Sequence, residues 1–219
     1  MITYKDITHN EEINTYIEKA DKSLEAIGYT EHSFTHAKRV AATAKYLLEA
    51  LGYSDREAEL AQIAGYMHDI GNLVNRVEHA QSGAIMAFRV LRAMGMAPDE
   101  TADVVTAIGN HDESTAMPVN AVAAALIIGD KSDVRRSRVR NRDTISFDIH
   151  DRVNYSVKSS KVTADREKGV IELHLTVDSK RFSTMEFYEI FMERMLLCKR
   201  AAKFFAAQFI TYINGQLLA

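Results

Sequence analysis

A histidine followed at once by an aspartate, His68-Asp69, closes the apolar stretch Tyr66-Met67 and runs into Ile70-Gly71-Asn72. Imidazole and carboxylate together suit a transition metal such as Fe, Mn, Zn, Co or Ni, whereas an all-oxygen set favours Mg or Ca. On a helix the two side chains point about 100° apart. Both still reach one ion near a helix end, where a glycine lets the chain turn away. An isolated pair of this kind is ordinarily a packed histidine beside a capping aspartate. Four further residues change that reading: His36 upstream, and His79, His111 and Asp130 downstream. Asp130 is the least ordinary of them. It ends the nearly all-apolar run Ala121 to Gly129, where an unpaired carboxylate is costly without a cation or several donors.

The elements that must position these residues read as helices. Residues 10–28 form an amphipathic one, with Ile13, Tyr16, Ile17, Leu24 and Ile27 at helical spacing and Gly28 as a stop. The next spans about Glu31 to Leu51, and its inner face carries His36, Val40, Ala44, Leu47 and Leu51. His32 lies one turn earlier on the same side and competes with His36, but sits nearer the helix start. Ser54 and Glu57 form a capping box that opens a third helix, whose stripe Leu60, Ile63, Ala64, Met67 delivers His68 and Asp69. A fourth, over 78–95, is entered by Glu78-His79. Its Gly83, which costs a helix about 1 kcal/mol against alanine, is worth keeping where a backbone or ligand comes close. Pro98 opens a fifth, with Thr101, Val104, Ile108 and His111 on one face. Pro118 opens a sixth, with Val122, Leu126, Asp130 and Asp133 on one face.

Six ligands exceed the three or four that one hydrolytic ion needs. They suffice for two ions bridged by a carboxylate, and Asp69, between His68 and the rest, is the natural bridge. Two ions about 3.5–4 Å apart bind an anionic substrate and lower the pKa of a shared water.

Beyond Asp130 lies a basic stretch: Lys131, Arg135, Arg136, Arg138, Arg140 and Arg142. Most read as a solvated helix end favoured by the dipole. Those closest to the site, Lys131, Arg135, Arg136 and Arg138, are candidates for holding phosphate oxygens. The pattern then changes to period two over Thr144–Ile149, Arg152–Val157 and Val170–Val177, which reads as a small antiparallel sheet. A long helix over about 183–213 closes the chain, and its Met and aromatic residues read as core or as a dimer surface.

The bulk numbers agree with an ordinary globular protein: 219 residues, 47% hydrophobic, 26% charged, net charge -3. That charge gives no global pull toward nucleic acid or an anionic membrane. One cysteine, Cys198, excludes an internal disulfide framework and suits a reducing compartment. The polar, acidic start (Lys5, Asp6, Glu11, Glu12) reads as no secretory signal, and no apolar run approaches a membrane span. A cytoplasmic location is expected. No dinucleotide, phosphate-loop or nucleophile-turn motif is present.

The order His36, His68-Asp69, Asp130 resembles the HD superfamily of metal-dependent phosphohydrolases, and the inserted His79 and His111 resemble its binuclear members. The likeness covers about residues 30–140 and implies an all-α bundle. It departs from the family at Ser33, where an arginine is common, at Asn72, where a lysine is common, and at Asn110-His111, where a His-His pair is usual. The missing Gly-Tyr-Pro signature argues against cyclic-di-GMP cleavage. The expected whole is a mainly α protein: an HD-type metal-binding bundle over residues 1–142, and a strand-and-helix extension over 143–219 packed on it. The expected activity is hydrolysis of a phosphate ester or anhydride, a nucleotide by preference, with metal-activated water at Asp69 and proton handling by Asp112 or Glu113. A homodimer through the C-terminal helix is the candidate assembly. Two other functions compete: a non-catalytic metal- or nucleotide-binding module, and a mixed-valent diiron oxygenase.

Overall fold

The computed structural model describes residues 1–140 and 149–218. Residues 1–140 hold seven α-helices: α1 (Tyr4–Thr8), α2 (Glu11–Ala26), α3 (Phe34–Ala50), α4 (Asp55–Met67), α5 (His79–Ala93), α6 (Pro98–Gly109) and α7 (Ala121–Lys131). Residues 149–218 hold α8 (Ile149–Ser156), β1 (Val157–Asp165), β2 (Val170–Val177), α9 (Thr184–Phe204), β3 (Gln208–Ile213) and β4 (Gln216–Leu217). The protein is therefore mainly α, with a small C-terminal sheet and a long C-terminal helix, as the periodicity implies. Among the described residues no helix is long and apolar enough to cross a membrane.

Local chemistry explains where the helices begin. Ser54 and Glu57 close the expected capping box on α4, and Pro98 occupies the first turn of α6. Pro118 does not open α7. Asn120 caps it instead, its side chain accepting from the Ala123 amide, because asparagine supplies the acceptor that proline lacks. Residues Ala123 to Ile128 of α7 are fully buried, and this helix is the axis around which α3, α4, α6 and α9 pack.

Glycines set one close approach. A Cβ on Gly71 would collide with the His79 carbonyl oxygen and the Gly83 amide nitrogen. The turn after Asp69 can lie against α5 only because Gly71 lacks a side chain, and a Cβ on Gly83 would crowd Gly71 N and His68 O at 3.2 and 3.3 Å, which favours glycine inside this helix.

The C-terminal part departs from the expected pattern in three places. Arg152–Val157, which alternates, forms the end of α8, and only Val157 enters a strand. Six residues of alternation also fit a helix face, and packing of Val153 and Ser156 into the core decides the outcome. The Thr144–Ile149 expectation lies outside the described residues up to its last member, which begins α8. The closing helix stops at Phe204 and not near 213. Ala206 takes a left-handed φ of 53°, and Phe209 and Ile213 belong to β3. The sheet order is β1-β2-β3-β4. The β1/β2 pair is antiparallel, as expected of the sheet; β3 and β4, which fall at and beyond the end of the expected closing helix, also pair antiparallel, while β2 and β3, joined through α9, run parallel.

Candidate metal centre

The centre is assembled at helix ends. His36 sits in the first turn of α3, His68 caps the C-terminus of α4, and Asp69 leads into the turn that follows. His79 is the first residue of α5, His111 follows the cap of α6, and Asp130 lies in the last turn of α7. His36, His68, His79 and His111 are all buried. Two overlapping His/His/Asp clusters result: His36, His68 and Asp130, and His68, Asp69 and His111. His79 adjoins the second, with Nε2 3.2 Å from His111 Nε2. Asp69 divides its oxygens between the two sides. Oδ2 faces His68 Nε2 at 3.1 Å and His36 Nε2 at 3.7 Å. Oδ1 faces His79 Nε2 at 3.4 Å and His111 Nε2 at 3.9 Å.

The ring orientations are fixed from outside. His68 Nδ1 lies 2.8 Å from Gly65 O, His111 Nδ1 2.6 Å from Ile108 O, and His79 Nδ1 3.1 Å from Arg76 O. His36 Nδ1 lies 2.8 Å from Asp133 Oδ2. Carbonyl and carboxylate oxygens only accept, so each Nδ1 carries a proton, and each ring, when neutral, turns its Nε2 lone pair inward. His36 Nε2 and His68 Nε2 are buried with no hydrogen-bond partner. Lone pairs aimed at one another and at two carboxylates repel unless cations lie between them. This donor set therefore fits a pair of divalent ions.

Burial alone would push the carboxyls of Asp69 and Asp130 up. The His68 and His111 rings hold Asp69 well below the usual range, and Lys131 with His36 does the same for Asp130. Burial works against charge on His68 too, but Asp69 and Asp130 raise its pKa. Desolvation wins at His79, which falls to about 4. Asp69 and Asp130 thus favour a proton on His68, which metal binding must displace.

The HD-domain sequence model matches residues 33–153, more than half of the chain. The chain belongs to the HD-domain family. It is an HD-superfamily metal-dependent hydrolase with a binuclear ligand set, and the match spans all six candidate ligands. It is also similar to an uncharacterized protein of Methanocaldococcus jannaschii, MJ1020, with 25% identity over 207 residues, 84% of this chain and 80% of the relative. Two solved structures resemble it. One, described as a predicted HD superfamily hydrolase from an uncultured Thermotogales bacterium, is 25% identical with a TM-score of 0.46, covering 58% of this chain and 69% of that one. The other, from Lactobacillus plantarum, is 18% identical with a TM-score of 0.45, covering 90% and 89%.

Around this HD centre the other candidates are placed unequally. Asp112 Oδ1 lies 3.9 Å from His79 Nε2. Glu113 Oε1 lies 2.7 Å from Arg194 Nε and 3.6 Å from Lys131 Nζ, and Lys131 Nζ is 2.7 Å from Asp130 Oδ2. Arg135 is bound to Asp133 and Glu31, and Arg136 to the Tyr155 carbonyl and ring, so neither is brought to the ligands. Arg138 donates to the Glu31 and Asp133 carbonyls and lines a neighbouring cavity. His32 precedes α3 and donates Nδ1–H to Thr30 O, its ring edge-on to His36 at 5.5 Å.

Three contributors escape the sequence reading. Asp133 orients His36 while accepting from Arg39 Nε and Arg135 Nε at 3.0 and 2.9 Å. Its place on the Asp130 face is the one signal available. Asn72 donates to Asp69 Oδ1 at 2.9 Å. Arg76, one turn further on, reaches Asn72 Oδ1 and His79 Nε2, each at 3.3 Å.

Proposed function

We propose that this HD-superfamily hydrolase cleaves a phosphate ester or anhydride of a small phosphorylated substrate, a nucleotide by preference. The observation that carries the reading is the convergence of four histidine Nε2 atoms on two aspartates whose carboxyls are held low, bordered by cationic side chains. Two divalent ions held there, drawn from Fe, Mn, Zn, Co or Ni, would supply Lewis acidity toward phosphoryl oxygens and a water of lowered pKa.

His36, His68 and Asp130 with Asp69 Oδ2 would hold one ion, and Asp69 Oδ1 with His79 and His111 the other. Asp69 is then the bridge. Asp112 is assigned as proton acceptor, because it lies at the rim and is ionised: burial raises its carboxyl, but the Ser114 hydroxyl and nearby cationic groups lower it further. Glu113, shared by Lys131 and Arg194, is assigned to holding those cations in place and not to proton transfer. Lys131 keeps one Asp130 oxygen turned away from the ligand cluster. Of the arginines expected to bind substrate, Arg138 fits the role, and Arg76 joins it.

Residues 1–142 are assigned as the metal-binding unit and 143–219 as an extension packed on it through α9 and α7. Exposed Met185, Met192, Leu196 and Phe204 keep α9 as the face for a homodimer. The single buried Cys198 suits a reducing compartment such as the cytoplasm. The test is anaerobic purification with elemental analysis, then a screen of nucleotides and phosphate esters for phosphate release. About two ions per chain and phosphate release are expected. A fully metallated protein inert across the panel overturns the assignment.

A further inference from the structure

Against the metal-ligand cluster lies a cavity of about 360 Å³ whose wall includes Tyr29, His32, Arg76, Arg138, Asn154 and Arg194. Two of these face the centre. His32 packs edge-on against His36 at 5.5 Å between ring centroids, and Arg76 Nη1 lies 3.3 Å from His79 Nε2. The cavity wall thus shares residues with the surroundings of the ligands, close enough for linked groups of one small molecule to reach both.

The cavity is strongly cationic. Three guanidinium groups line it, and no carboxylate does among the described residues. Neither Arg76 nor Arg138 forms an ion pair among the described residues. Arg138 is only 5% exposed, and its described partners are two neutral backbone carbonyls at 3.0 Å. A buried guanidinium matched only to carbonyls lacks the anion that would offset its desolvation. Arg194 has one carboxylate partner, Glu113, which it shares with Lys131. Guanidinium forks match phosphate oxygens bidentately, and the volume falls in the range of small-ligand sites.

Most of this wall lies outside the HD match at 33–153. Tyr29 and His32 come from the turn between α2 and α3, Asn154 from α8, and Arg194 from α9. The segments flanking the family domain therefore shape the cavity.

Resting on the phosphohydrolase reading, we propose that this cavity is a subsite for a second phosphoryl group, so that the substrate carries at least two in a chain, as in a nucleoside di- or triphosphate or another linear oligophosphate. The flanking segments then set specificity, while the family ligands supply the reaction.

Binding, not turnover, gives the test. Metal-loaded protein is titrated calorimetrically with methylenebisphosphonate, which has two anionic heads and no hydrolysable bridge, and with methylphosphonate, which has one. Elemental analysis of each sample verifies that metal is retained. Wild type is expected to bind the two-headed anion tighter by about tenfold or more, the effect of one charge-assisted contact. Arg76→Met and Arg194→Met are expected to bring the ratio below about threefold, and Arg194→Lys, which keeps the charge but not the fork, to leave it between wild type and Arg194→Met. A wild-type ratio near one overturns the proposal whatever the variants do, and so does an unchanged ratio in both methionine variants. Phosphate release separates the two readings. Turnover by wild type without a two-headed preference removes the subsite alone, whereas metal-replete protein inert on every ester and anhydride removes the phosphohydrolase reading beneath it.

Discussion

Asp133→Asn is the most discriminating perturbation, because it changes one oxygen into an amide without altering size. Asp133 Oδ2 accepts from His36 Nδ1, and Oδ1 accepts from Arg39 and Arg135. Asparagine retains one acceptor oxygen, so its amide must face either the imidazole or the arginines. If it faces His36, the ring is pushed to the other tautomer and Nε2–H points at the ligand cluster. If it faces the arginines, two charge-assisted bonds are lost. Losing a carboxylate that orients a metal-binding histidine lowers metal affinity by about 10–100-fold. The loss should fall on the ion held by His36, His68 and Asp130, and spare the one beside His79 and His111. The stability cost should be moderate. Arg135 keeps Glu31 at 2.9 Å, so the loss is that of hydrogen bonds to a charged group, about 1.5–3 kcal/mol, and not the 3–5 of a fully orphaned buried charge. His36, Arg138 and Arg135 hold the Asp133 carboxyl below its usual range despite burial, which works to raise it. A depressed native pKa means the stabilisation is complete above the unfolded value of about 3.9 and drains away as pH falls below it. The wild-type and variant melting curves should therefore converge in acid. Metal affinities come from competition with a chromophoric chelator, and stability from urea melts between pH 3 and 7. Equal weakening of both ions, or none, refutes the argument.

Asp69→Ala should abolish binding of both ions, whereas His79→Ala should weaken mainly one; equal loss by elemental analysis in the two variants counts against a bridging role. Asp130→Asn should bind metal poorly, release no phosphate, and lose less melting temperature on chelation than wild type, since it has less bound metal to lose; identical chelator responses with unchanged metal content would show that Asp130 is not a ligand. The excised fragment 143–219 should be unfolded by circular dichroism, because α9 buries Phe187, Phe191, Leu197 and Cys198 in the intact fold and a strand pattern with one helix buries too little alone; a cooperative melt of the fragment defeats that expectation.

Much of this protein is legible in its residue order because helical periodicity is local. The spacing of Val40, Ala44 and Leu47 turns His36 inward, and the apolar run before Asp130 marks that carboxylate as needing a cation. The HD doublet with its outlying histidines then gives the family. Other features depend on which surfaces meet. Nothing local separates Arg194 from Lys199 or Arg200 on the same helix; packing of α9 on α7 brings it to Glu113. Arg135 and Arg136 look as suited to phosphate as Arg138 does, until Glu31, Asp133 and Tyr155 claim them. The alternation in Arg152–Val157 satisfies either period, and the core chooses the helix. Sequence thus determined which residues face inward, since that follows from a repeat of a few residues. Tertiary structure alone decided which charges find partners, because those contacts join segments far apart along the chain.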